Sequence, residues 1–134
     1  MNKQYDRLIE PFLLNLMKEF PAIAIDGLKG VGKTVSIKRI AATVFELDKA
    51  KDFDQVTNIP DFLIAEPSPV LIDEWQRIPP VWDYIRRAVD DGAKPGSFLL
   101  TGSIANSDIN IHSGGIAYRR KDGIAVVPAA LLGA

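Results

Sequence analysis

From Tyr5 to Phe20 the apolar residues Tyr5, Leu8, Ile9, Phe12, Leu13, Leu16, Met17 and Phe20 recur at intervals of three and four. That is the period of one helix face, so the segment reads as an amphipathic helix. Pro11 either kinks it or opens its second part, and Pro21 ends it. Ala22-Ile-Ala-Ile25 is then apolar without interruption and runs straight into glycine, the pattern of a strand buried on both faces. From Lys33 to Ala42 the helical period returns, with Val35, Ile37, Ile40 and Ala41 apolar.

Thr43 to Leu47 reads as a second strand ending at Asp48, and no element is assigned between there and a short helix at Asp61 to Ala65. The loop Glu66-Pro-Ser-Pro69 leads into a third strand, Val70-Leu-Ile72. Val81 to Val89 is helical, with Val81, Trp82, Ile85, Ala88 and Val89 on one side. Gly92 to Gly96 turns the chain into a fourth strand, Phe98-Leu-Leu100. Strands alternating with helices through short loops predict an α/β fold with a mainly parallel sheet, because parallel strands need crossovers. Past Ser103 the pattern weakens. It recovers at Gly123-Ile-Ala-Val-Val127, which is apolar and β-branched enough for a buried strand that Pro128 would end, and which is expected to pair with the sheet.

The length of 134 residues suits one packed domain. With 47% hydrophobic and 25% charged residues, the chain has the balance of a soluble globular protein. A net charge of -1 provides no field that would draw the chain to nucleic acid. Cysteine is absent, which excludes disulfides and cysteine–zinc sites and makes the cytoplasm the expected compartment. No export signal is visible at the start. The apolar, uncharged stretch Gly123 to Ala134 has 12 residues, against about 20 for a membrane-spanning helix.

The candidate chemistry begins where the first strand ends. Gly27-Leu28-Lys29-Gly30-Val31-Gly32-Lys33-Thr34 fits G-x-x-x-x-G-K-[ST] in full and lies between a predicted strand and a predicted helix, the context the motif requires. Glycines let the backbone wrap a phosphate so that successive N–H groups and the positive helix end face anionic oxygens. Lys33 is expected at the β- and γ-phosphates, and the Thr34 hydroxyl on Mg²⁺. The bland alternative, a chance glycine turn, leaves the full motif and its context unexplained.

Val70-Leu-Ile-Asp73-Glu74 is an apolar strand ending in two carboxylates. In P-loop enzymes an acidic residue there holds the metal through its water, and Asp73 takes that part. Glu74 is the candidate general base, which needs hydrogen-bond reach of the attacking water. Alone, such a pair is more often a solvated turn; the loop upstream reverses that reading. Thr101-Gly-Ser103 closes the fourth strand at the end where ligands collect in parallel sheets. Ser103 is thus either a γ-phosphate sensor or a helix cap. Gln76 is either a water-orienting amide or, more commonly, a surface side chain. His112 is the lone histidine and is assigned nothing. Trp75 and Trp82 read as packing groups, and Arg86 and Arg87 as a solvated helix face.

These residues resemble a known group, prokaryotic AAA-type ATPases in which a P-loop domain precedes a C-terminal domain sometimes likened to restriction nucleases. The resemblance rests on Pro21-Ala-Ile-Ala-Ile-Asp-Gly27, Leu71-Ile-Asp-Glu-Trp-Gln-Arg-Ile-Pro79, Val89-Asp-Asp91 and Pro95-Gly-Ser-Phe-Leu-Leu-Thr-Gly-Ser103, and covers residues 5 to 113. It implies a P-loop NTPase-type three-layer fold, ATP at the loop, Mg²⁺ at Asp73, catalysis by Glu74 and a sensor near Thr101 to Ser103. After Ile111-His-Ser-Gly114 such proteins continue through Ala-Gly-Arg into an arginine-rich strand, whereas this chain has Gly115-Ile-Ala. Tyr118 to Gly133 resembles the extreme C-terminus of the full-length relatives. The resemblance therefore implies an ATPase core over 1–113, incomplete relative to a full AAA core, joined by an internal deletion to a tail over 114–134.

Two functional readings follow. One is an ATP-binding, Mg²⁺-dependent ATPase; the other is a nucleotide-binding module without catalysis, favoured by the missing arginine. A small P-loop kinase is a third, for which no arginine-rich lid is visible. A tail strand would cover the sheet edge beside the P-loop strand, within one chain or between two copies as a homo-oligomer.

Overall fold

The structure is a computed structural model that describes residues 11–26, 31–58, 65–102, 119–121 and 123–128. Helix α1 covers residues 11–17. It is followed by β1 (Ala22–Asp26), α2 (Val31–Ile40), β2 (Thr43–Glu46), α3 (Ala50–Asn58) and β3 (Val70–Asp73). A 3₁₀ turn (Trp75–Arg77) and α4 (Pro80–Asp90) lead to β4 (Phe98–Gly102), and β5 (Arg119–Lys121) and β6 (Ile124–Pro128) complete the sheet.

The sheet has six strands in the order β2-β3-β4-β1-β6-β5. Five run parallel, and β5 alone is antiparallel, on β6. Two apolar layers sandwich it. Successive strand residues point to opposite faces, so Ala22 and Ala24 of β1 face one layer and Ile23 and Ile25 the other. The first layer holds Val56 of α3, Trp75, and Trp82 and Ile85 of α4. The second holds Leu13, Leu16 and Met17 of α1 and Ile37 of α2. The helix–sheet–helix arrangement is the α/β, mainly parallel, three-layer fold expected of the sequence.

The expected segment 123–127 is in the sheet. It pairs in parallel with β1, Val126 opposite Ala24 and Val127 opposite Ile25, and both valines are buried. It does not form the edge, because β5 lies outside it. The basic tract that supplies β5 shows no alternating apolar pattern, which is why periodicity assigns nothing there. The other elements differ from expectation in detail. Helix α3 was not assigned, and α2 begins at Val31 and ends at Ile40 rather than spanning Lys33 to Ala42. Val35, expected on the apolar face of α2, is 43% exposed. The short helix expected at Asp61 to Ala65 lies outside the described residues but for Ala65.

One glycine fixes how α1 meets the sheet. Gly96 has φ +81, a conformation open to glycine at little cost, and its N–H donates to the Phe20 carbonyl at 3.0 Å. A Cβ there would press on the Met17 carbonyl at 3.3 Å. Phe98 N–H and Ser97 N–H both donate to the Pro21 carbonyl, so the end of α1, the start of β1 and the start of β4 are tied together.

Candidate functional site

β1 leads into residues 27–30, which lie outside the described set, and α2 begins directly after them. Gly27, Leu28, Lys29 and Gly30 therefore have no structural account, whereas the backbone of Val31, Gly32, Lys33 and Thr34 forms the first turn of α2. N–H groups in a first helical turn have no intrahelical partner, and they carry the positive end of the helix dipole. No acidic residue competes in that turn, and Lys38 and Arg39 sit in the last turn, where cations suit the dipole. Helix starts of this kind are suited by their backbone to meet an anion.

Asp73 closes β3, two strands away from β1. β4 lies between them and brings Thr101 opposite both Ile25 of β1 and Asp73 of β3, and Gly102 opposite Asp26. Hence the end of the strand that feeds the loop, the carboxylate at the end of β3 and the hydroxyl at the end of β4 share one end of the sheet. Thr101 is buried, and its Oγ1 donates to Asp73 Oδ1 at 2.7 Å. Burial pushes the Asp73 carboxyl above its ordinary range, and the neighbouring Glu74 pushes the same way; the Thr101 hydrogen bond pulls against both. A half-buried carboxylate held by one hydroxyl keeps unused acceptor capacity and has reason to take a cation.

An oxygen donor set of this kind fits Mg²⁺, a hard ion that keeps waters and takes substrate phosphate oxygens. Among the described residues no group of three or more His, Cys, Asp or Glu is placed to hold a metal ion.

Glu74 comes next, in the left-handed conformation (φ 60, ψ 44). Non-glycine residues rarely sit there, and such backbone strain, about 1–3 kcal/mol, collects at functional sites. The conformation turns the chain out of β3 into the 3₁₀ turn. Within that turn Gln76 Nε2 donates to Glu74 Oε1 at 2.7 Å. Gln76 also lies against Gly102: a Cβ on that glycine would overlap Gln76 Oε1 and stand 3.1 Å from its Cδ. Trp75, between the two, is 1% exposed and packs on Trp82 with ring centroids 5.1 Å apart. The tryptophans are packing groups, as expected of them.

The structure thus gathers Asp73, Glu74 and Thr101 at the end of the sheet from which α2 departs, and adds Gln76 and Gly102 to them. Ser103 and His112 lie outside the described residues. Sequence reasoning weighed Gln76 only as a surface side chain or a water-orienting group. A pair two apart in a short 3₁₀ turn leaves no periodic signal. The bare Gly102 opposite it is a long-range fact that no local pattern contains.

A family model described as an AAA domain matches residues 19–122. No curated protein and no solved structure matches.

Proposed function

The chain belongs to the AAA-domain family, and from that premise we propose that it binds ATP with Mg²⁺ at the loop 27–34 and hydrolyses it. The observation that carries the reading is the Thr101–Asp73 hydrogen bond, at the same end of the sheet as the start of α2. The backbone of residues 27–34 and Lys33 hold the phosphates, Thr34 and Asp73 hold the metal, Glu74 takes a proton from water and Ser103 senses the γ-phosphate. When bound, the metal would offset the charge on the phosphate oxygens.

The tail belongs to the same proposal. The family model stops at residue 122, whereas β6, outside it, fills the place beside β1. We take β6 as a substitute for the family's last core strand, brought in by an internal deletion that removed a second domain. No helix among the described residues is long and apolar enough to cross a membrane, and the absence of cysteine suits a cytoplasmic site of action.

The second reading, binding without hydrolysis, is favoured by Gly115-Ile-Ala117, which stands where the resembled proteins continue through Ala-Gly-Arg. Phosphate release at saturating ATP and Mg²⁺ separates the two. Hydrolysis predicts steady turnover that Glu74→Gln cuts by about 100-fold or more, with ATP affinity little changed. Absence of turnover would leave a binding module, whereas turnover equal in both proteins would remove Glu74 from the role of base.

A further inference from the structure

Gln76 stands apart from the motif residues, yet it makes two contacts that join them. Its amide donates to Glu74 Oε1 at 2.7 Å, and its side chain lies across Gly102 at the end of β4. The backbone explains why this is feasible. Glu74 in the left-handed region turns the following residues back over the end of the sheet, where the 3₁₀ turn stacks on β4. Gly102 has φ +151 and no Cβ, and both are required. An L side chain would be strained at that angle and would collide with Gln76, while Trp75 Cδ1, 3.3 Å from the same position, blocks retreat on the other side.

We propose that Gln76 is a positioning residue that clamps the Glu74 carboxylate against the end of β4, with Gly102 as the seat that lets it do so. A carboxylate on a strained turn at the protein surface has other rotamers open to it. One amide donor on Oε1 fixes the plane of the group and leaves Oε2 to face a reactant. Because β4 also carries Thr101, whose hydroxyl holds Asp73, this strand end orients both carboxylates: Asp73 directly and Glu74 through Gln76. A change at the end of β4 is thereby transmitted to metal ligand and base together.

The inference rests on the ATPase reading for its catalytic consequence, though the clamp itself can be tested without turnover. Gln76→Met keeps the length and removes the donor; Gln76→Glu keeps the shape and sets a second carboxylate against Glu74. Under single-turnover conditions both should hydrolyse ATP more slowly, by about 10- to 100-fold, the scale of one hydrogen bond to a charged group. Gln76→Glu should be the slower, and ATP affinity should stay within about twofold in each. Gly102→Ala should reproduce the defect by displacing Gln76. In a Glu74→Gln background Gln76→Met should add almost nothing, since a residue acting through Glu74 has nothing left to position. Equal losses in both backgrounds, or a full rate in Gln76→Met, would overturn the proposal.

The side-chain amide resonance of Gln76 in the nucleotide-free protein supplies the independent readout. It should be slowed in hydrogen exchange and should lose that protection in Glu74→Ala. An unprotected amide, or one indifferent to Glu74→Ala, would overturn the clamp. A protected amide in a protein that does not hydrolyse ATP would uphold the clamp and refute the ATPase reading alone.

Discussion

Asp73 is a residue whose local energetics and function pull in opposite directions. Desolvation raises its pKa, so the ionised form is disfavoured in the folded, metal-free protein. Protonation therefore favours the fold: the stability linked to this group is greatest at low pH and declines as pH rises through its elevated folded value. Asp73→Asn removes the buried charge while Thr101 can still donate to the amide oxygen. The variant is expected to melt no lower than the parent at neutral pH without nucleotide, and to lose most of the Mg²⁺-dependent part of ATP binding. Melting curves and calorimetry with and without the metal check this. Equal losses of affinity in both conditions would remove Asp73 from the metal site. The carboxylate at a strand end was legible in the sequence, because an apolar run followed by acidic residues downstream of a lysine loop is a local pattern. Its partner Thr101 was legible only as one hydroxyl in a strand-end triplet. Which group it reaches depends on β4 lying between β1 and β3, and no local pattern states a strand order.

The elements nearest the site are tied by side chains as well as by packing. Glu46 at the end of β2 pairs with Lys38 of α2 and with Lys49, the latter at 2.6 Å, and its N–H donates to Asp52 Oδ2 of α3 at 2.8 Å. The two lysines, Lys38 foremost, hold its carboxyl below the ordinary value of 4.5. A depressed carboxylate contributes stability that is present above the unfolded value and lost as pH falls through the folded one. Glu46→Gln should therefore lower stability by about 1 kcal/mol at pH 7, the scale of a partly exposed ion pair. Below the folded pKa the gap between variant and parent should close. Urea unfolding at pH 7 and at pH 3 measures it, and a gap that persists in acid would show that the charge is not the cause. This cluster is also what the hydrophobic pattern missed. In α3, Ala50-Lys-Asp-Phe-Asp-Gln-Val-Thr-Asn58, Val56 is the one buried residue. Its apolar residues Ala50, Phe53 and Val56 recur at intervals of three, but three such positions in a short, mostly polar segment were passed over by a reading that looks for longer apolar stripes. By contrast α1 and α4 each bury three or more apolar residues and were legible from spacing. In α1 the residue left out of the spacing, Leu14, is 46% exposed.

Across the molecule, β1 is the central strand of the site, and both of its neighbours come from the last third of the chain. β4 precedes the segment without structural account, and β6 follows it. Ile124, Ala125, Val126 and Val127 are all buried against both layers of the core. Truncation after Asp122 would expose one side of β1, an unpaired apolar edge of the kind that invites aggregation. The truncated chain should melt lower and precipitate, as light scattering during a thermal ramp would register; unchanged solubility and melting would make β6 dispensable. The outer strand β5 is Arg-Arg-Lys in sequence, and cationic edge strands discourage further pairing. The proposed nucleotide site lies beyond the end of β1. The most direct measurement is titration calorimetry of ATP with Mg²⁺ into the parent protein and into Lys33→Ala. The substitution removes one cation from the first turn of α2. Saturable binding by the parent, weakened at least about tenfold in Lys33→Ala, the loss of one charged hydrogen bond or more, is the predicted result. No binding by the parent, or equal affinity in the two proteins, would contradict the nucleotide site.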